Sequence, residues 1–301
     1  MSTENNIRPG WSLPNIIDKK MKGVTSIWWY NTNRSIDASV EIIKKEGALR
    51  INEHIHKDQW KSFINQIQDH NKKMICFTDC VPNDTPVPKN LYLVNLHSST
   101  IWILNDYNSN LERTQNFQNI EYDFFLTYMR YDQERERIFK ILEKKNLLSK
   151  SLYSCPAHKE RKAKYVEGRN PSMTRYDHKR LQAFLVDYMH KCLCSIILEN
   201  VPSGNYFSLI SEKSLIAFKS KMPCAWIMTK EKKDLLESYG FKNSIPWDNH
   251  FDFVKHLSLL KNGNQRIWWE QQREIVEYNY KILNSLRPKL IEDVLDRLSK
   301  I

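Results

Sequence analysis

Glycine is scarce in this chain, with seven residues in 301, at positions 10, 23, 47, 168, 204, 240 and 263, against an average usage of about 7%. None lie close enough together to make a G-x-G-x-x-G fingerprint or a Walker loop, which excludes the glycine-lined phosphate cradles. A bound nucleotide would need cationic side chains and helix N-termini to hold its phosphates. Long apolar runs are missing too. None reaches the roughly 18 to 20 residues that span a bilayer, and the opening "MSTENNIRPGWSLPNIIDKK" is too polar for a secretory signal. The expectation is a soluble, cytoplasmic protein with no membrane partner. The six cysteines, at 76, 80, 155, 192, 194 and 224, lie mostly in apolar runs such as "MICFTDC" and "KCLCSIIL". A reduced thiol there behaves as a small hydrophobe, so no disulfide framework is expected.

What is present is positive charge. The 46 Lys and Arg against 35 Asp and Glu give a net +11 and a pI near 9.2, a surface field that attracts polyanions such as nucleic acid or phosphorylated small molecules. Such a field permits that binding without demonstrating it.

Short apolar runs alternate with amphipathic ones, the pattern of a parallel α/β layer. In the first third, "GVTSIWWY" reads as a strand, Ser35 caps a helix through "IDASVEIIKKEG", and Ile36, Val40 and Ile43 share one face. The helix "KDQWKSFINQIQDHN" precedes the strand "KMICFT". "NLYLVNL" and "TIWIL" supply further strands, with the proline-rich "CVPNDTPVPKN" as a loop. A second unit starts near Glu121, with "YDFFLTYMR" as a strand and "YDQERERIFKILEKKN" as a helix. It continues with the strand "SLYSC", the helix "RLQAFLVDYMHK", the strands "CLCSIIL" and "CAWIM", the helix "KEKKDLLESYG" with Gly240 as its stop, and a helical tail from Asp248 to Ile301. The expected organisation is α/β, with one Rossmann-like domain over residues 1–120 and a second, with a helical C-terminus, over 121–301.

The stretch "FSLISEKSLIAFKSKMPCAWIM" carries the most pointed local feature. Ser211 is placed as an N-cap, which sets Glu212 and Lys213 in the first turn of a helix whose Leu215 and Phe218 face the core. A cation there opposes the macrodipole unless an anion is bound. Free N–H groups, the dipole and an ammonium together suit a phosphate, and a neighbouring carboxylate suits ribose hydroxyls. The plainer alternative is that Glu212 complements the dipole and Lys213 is solvated. Arg130 stands at a strand-to-helix junction within reach of a phosphate, with Arg135 and Arg137 next in line. Arg137 fits a solvated helix face better. Glu199 ends an apolar strand, where α/β sheets bind ligands, or else is an ordinary loop carboxylate.

Elsewhere, His190, Cys192 and Cys194 suggest a metal site but lack an evident fourth ligand, and buried packing accounts for them better. Residues 158–180 hold eight Lys and Arg against three Asp and Glu, with Tyr165 and Tyr176 interleaved. Lys162, Lys164, Arg169 and Arg175 there could track a phosphate backbone, or form a soluble loop. Trp28, Trp29 and Tyr30 with Arg34 form an aromatic and basic cluster after the first strand, although alternation puts at least one tryptophan in the core.

Ser211-Glu212-Lys213-Ser214, Pro223-Cys224-Ala225, Gly240-Phe241-Lys242 and Trp247-Asp248 occur in this order. They resemble, in order and spacing, the Thr-Glu-Lys-Thr helix start, Pro-Phe-Ile strand, Gly-Phe-Lys and Trp-Asp-Glu motifs of a largely phage and viral GT-B-type glycosyltransferase-like family. The arginine-bearing stretch "TYMRYDQERERIFKILEKKNLLSKSLYS" is similar to the start of that family's C-terminal half, so the resemblance covers roughly residues 121 to 285. Ile216-Ala217 stand where the family has Lys-Pro, and "MTKEKKD" stands where it has glycines, two departures that bear on pocket shape and sugar preference.

The resemblance implies a GT-B-like fold, two Rossmann-like domains with a cleft between them. Its implied activity is transfer of a sugar from a nucleoside diphosphate, UDP-linked by expectation, to a hydroxyl. Glu212 would then hold ribose and Lys213 the diphosphate, with Ser211, Glu199, Arg130 and Arg135 also on the donor side. The favoured acceptor is 5-hydroxymethylcytosine in phage DNA, with arabinose or glucose as the sugar, in a host cytoplasm. Trp29, Tyr30, Arg34 and the basic segment would serve base extrusion and backbone contact. An inverting transfer needs a base from the N-terminal half, for which Asp79, His54 and His56 compete. No D-x-D occurs in the chain, which suits a metal-free site where cations and dipoles stabilise the leaving diphosphate. The alternatives are a glycan or protein acceptor, or a non-catalytic nucleic-acid-binding protein on a degenerate transferase fold.

Overall fold

The structure, a computed structural model, describes residues 25–27, 36–51, 57–78, 87–95, 112–127, 133–154, 185–199, 212–228, 230–245 and 250–299. The chain is α/β and divides into two compact units. One comprises Met1–Asp106, Pro202–Leu209 and Leu286–Ile301, the other Tyr107–Val201 and Ile210–Ser285. The expected strand "TIWIL" lies outside the described residues.

In the first unit, β1 (Thr25–Ile27), α1 (Ile36–Glu46), β2 (Ala48–Ile51), α2 (Lys57–Ile67), β3 (Met74–Thr78) and β4 (Leu91–Asn95) follow in chain order. The sheet runs β1-β2-β3-β4 and every pair is parallel. Successive right-handed crossovers that all step the same way put α1 and α2 on one face. Val40 and Ile43 from α1, and Trp60, Phe63, Ile64 and Ile67 from α2, close over Leu49, Met74, Cys76 and Leu91. Trp60 stacks on Phe63 at 5.5 Å. Burying each such side chain contributes about 1.5–3 kcal/mol.

The second unit holds β5 (Tyr122–Thr127), α3 (Gln133–Lys144), β6 (Ser151–Ser154), β7 (Cys192–Leu198), α4 (Glu212–Lys219), β8 (Cys224–Ile227), α5 (Lys230–Ser238), α6 (His250–Asn262) and the first part of α7 (Gln265–Ser299). Its sheet is also parallel, in the order β6-β5-β7-β8. The chain steps one way from β5 to β6, then returns across β5 to lay down β7 and β8. The direction of winding therefore reverses between β5 and β7, which defines a topological switch point at their carboxyl ends.

β7 is the unbroken apolar run "CLCSIIL" and is buried along its whole length, as a central parallel strand covered on both faces must be. On one face, Phe124, Leu126, Cys194, Ile196, Leu198 and Ala225 pack against Ile138, Phe139 and Leu142 of α3 and Phe253 and Leu257 of α6. On the other, Phe218 of α4 meets Trp226 edge-on at 5.3 Å and stacks on Phe241 at 4.3 Å. Leu215 and Phe218 are core residues, as their spacing predicts, but Ser214, Ile216 and Ala217 are buried as well.

The shortage of glycine shows at the helix ends. α5 closes with Phe241 N–H on Leu236 O and Gly240 at φ 91°, the Schellman arrangement. α3 and α4 close the same way, through Leu147 N–H on Leu142 O and Met222 N–H on Ala217 O, yet their left-handed residues are Asn146 (φ 57°) and Lys221 (φ 55°). Among the described residues no helix is long and apolar enough to cross a membrane.

Candidate functional site

Three strand ends meet the switch point of the second sheet. Thr127 closes β5, Ser154 closes β6, and Glu199 follows β7, its N–H still on the ladder through Ile227 O at 3.0 Å. The register pairs Thr127 with Ser154 on one side and with Ile197 on the other. Partnered residues point to the same face, so Ser154, Thr127, Ile197 and, two residues on, Glu199 share the face that α4 covers.

Glu199 is 1% exposed and Ser214 is fully buried. The Ser214 hydroxyl donates to Glu199 Oε1 at 2.6 Å, a charge-assisted bond that ties the first turn of α4 to the end of β7. That turn begins with Glu212 and Lys213. Lys213 is half-buried and engaged in contacts of its own. Glu199 and the helix start carrying Glu212 and Lys213 thus meet at one strand–helix junction.

Arg135 lies in the first turn of α3 and is 2% exposed, on the same helical stripe as Ile138, Phe139 and Leu142. Arg137 is on the solvent side, where its guanidinium grips Glu134 through Nε at 2.8 Å and Nη2 at 2.5 Å. Of the donor-side residues expected from sequence, the structure thus describes Arg135, Glu199, Lys213 and the backbone of Glu212. Arg130 and Ser211 lie outside the described residues. So do Asp79, His54 and His56, the residues Trp28, Trp29, Tyr30 and Arg34, the segment carrying Lys162, Lys164, Arg169 and Arg175, and the pair Trp247-Asp248.

Two hydroxyls at this edge escaped sequence reasoning. Thr127 Oγ1 and Ser154 Oγ are sealed from solvent and make no hydrogen bond, as is Ser195 Oγ deeper on the same face. A buried hydroxyl without a partner costs about 1–3 kcal/mol. Serine and threonine at strand ends are too common for the sequence to flag them.

At the amino ends of the same sheet lies a small pocket of about 20 Å³ lined by Gln115, Lys221, Trp269, Arg273 and Glu277 among others. Within it Lys221 pairs with Glu277 at 3.0 Å, and Trp269 Nε1 donates to Gln115 at 2.7 Å. Ligands of open α/β sheets bind at the carboxyl ends, so this pocket is a packing feature. Cys192, Cys194 and Cys224 are buried in β7 and β8, and burial pushes their thiols up, which suits inert core residues. His190 sets its Nε2 on Ser220 O at 2.8 Å. Among the described residues no group of three or more His, Cys, Asp or Glu is placed to hold a metal ion.

No protein-family model matches the chain, and no curated protein is significantly similar to it.

Proposed function

We propose that the protein is a GT-B-like glycosyltransferase that binds a nucleoside-diphosphate sugar at the carboxyl edge of the second sheet and transfers the sugar to a hydroxyl. The observation that carries this reading is the Ser214–Glu199 bond, which fixes the helix start bearing Glu212 and Lys213 against a switch point. The carboxylates of Glu212 and of the buried Glu199 can accept from ribose hydroxyls. The ammonium of Lys213 and the first-turn N–H groups of α4 can meet diphosphate oxygens without a glycine loop. The leaving diphosphate would then be stabilised by fixed positive charge as the bond to the sugar breaks.

The acceptor we propose is a hydroxymethylated base in DNA. The net charge of +11 supports it, because a basic surface gathers DNA and gives binding that falls steeply with salt. The same charge supports the second reading, a nucleic-acid-binding protein without transferase activity.

Calorimetric titration of the full chain with UDP and with GDP tests the donor site. Binding is expected, and Lys213→Ala should weaken it about tenfold or more, as loss of a charge-assisted contact does. Nucleoside mass spectrometry of hydroxymethylcytosine-containing and ordinary DNA, incubated with the protein and UDP- or GDP-sugars, tests the acceptor. A sugar-sized mass gain confined to the modified DNA is expected. Equal nucleotide affinity in Lys213→Ala, with DNA binding intact, would instead favour the non-catalytic reading.

A further inference from the structure

Thr127 and Ser154 are partners in register on adjacent parallel strands, both at the carboxyl ends. Their hydroxyls are sealed from solvent and neither bonds to the other nor to any group of the protein. Thr127 is 5% exposed and Ser154 0%. A fold under selection for stability alone would place valine and alanine here, since an apolar pair of the same shape removes two unmet hydrogen-bonding groups. That they sit beside the β5–β7 switch point gives them a use.

We propose that the Thr127–Ser154 pair binds two neighbouring hydroxyls of the sugar carried by the donor. This rests on reading the same edge as the donor site. Neighbouring strands lie about 4.8 Å apart, a gap that an adjacent pair of sugar hydroxyls can bridge, each donating to one side chain and accepting from another. Phosphate fits this end of the edge less well. The next polar side chain on the shared face is the buried Glu199 carboxylate. That carboxylate repels an anion, whereas a neutral hydroxyl can donate to it. The sugar end then lies on the β5–β6 side of the switch point and the diphosphate end on the α4 side.

The test compares wild type with Thr127→Val, Ser154→Ala and the double variant of the full chain. Titrations use UDP, UDP-glucose, UDP-arabinose and the GDP-linked sugars, with free glucose and arabinose followed by saturation-transfer NMR. Wild type is expected to prefer one sugar nucleotide over its parent nucleotide by about 10- to 100-fold. The double variant should lose that preference while holding its affinity for the parent nucleotide, and its ligand-free melting temperature should hold or rise. Unchanged sugar-nucleotide affinity in the double variant overturns the inference, as does an equal loss for nucleotide and sugar nucleotide alike. If wild type binds no nucleotide, the donor reading fails. A free-sugar signal that disappears in the double variant would still sustain the hydroxyl pair, and no such signal would overturn it as well.

Discussion

Trp269 Nε1 donates to Gln115 Oε1 at 2.7 Å, while Gln115 Nε2 donates to Cys192 O at 2.6 Å. One buried amide, 154 positions from Trp269 in sequence, thereby links the start of β7 to α7, satisfying an indole N–H and a strand-end carbonyl that no ladder reaches. Gln115→Leu should orphan both groups and destabilise the protein by about 2–4 kcal/mol. Urea unfolding of the variant measures this, and a loss below about 1 kcal/mol would mean that water replaces the amide.

Ser214→Ala leaves the Glu199 carboxylate without its shortest described hydrogen bond. A bond to a charged group of this kind is worth about 1.5–3 kcal/mol, and the first turn of α4 loses its tie to β7. We expect a lowered melting temperature together with weakened UDP or GDP binding, whereas Ser214→Thr, which keeps the hydroxyl, should retain more of both.

His190 gives the second unit an acid-sensitive point. Desolvation holds its pKa below the ordinary 6.5; the bond to Ser220 O opposes this, and the nearby charge of Arg113 adds to it. The folded state therefore binds a proton less readily than the unfolded state. Stability from this group is intact above pH 6.5 and is lost as pH falls from there through the depressed folded value. His190→Gln, which keeps a donor for Ser220, should flatten that limb. Parallel pH–melting curves for the two proteins would contradict the assignment.

The left-handed helix ends make a paired prediction. Asn146→Gly should stabilise the protein by up to about 1 kcal/mol, because glycine adopts positive φ without a Cβ clash. Gly240→Ala should destabilise it by about 1–2 kcal/mol, since φ is 91° and an added Cβ would meet Ile282 Cδ1 at 3.4 Å. Thermal unfolding of both variants gives the signs directly.

Several of these features were legible in the residues, and the reasons differ. β7 was bounded correctly because "CLCSIIL" is apolar throughout and flanked by Lys191 and Glu199, so burial alone defines it. The helix beginning at Glu212 followed from a serine of the type that favours N-caps placed before an apolar stripe. Gly240 announced the stop of α5, but Asn146 and Lys221 gave no such notice, since neither residue type is diagnostic of a left-handed turn. Gln115 was invisible because its role depends on Cys192 and Trp269, far away in sequence. The Thr127–Ser154 pairing depends on strand order and register, which periodicity does not encode.

That strand order also has a consequence on the ribosome. β5 is flanked by β6 on one side and by β7 on the other, and β7 begins at Cys192, long after β6 ends at Ser154. At about 5–20 residues per second, synthesis of the intervening stretch takes on the order of a few seconds. Throughout that interval the nascent β5–α3–β6 segment carries an open backbone edge along "YDFFLT", apolar and ready to pair with another chain. Nascent chains arrested between residues 155 and 190 should therefore be the ones most prone to aggregate and the ones that chaperones engage.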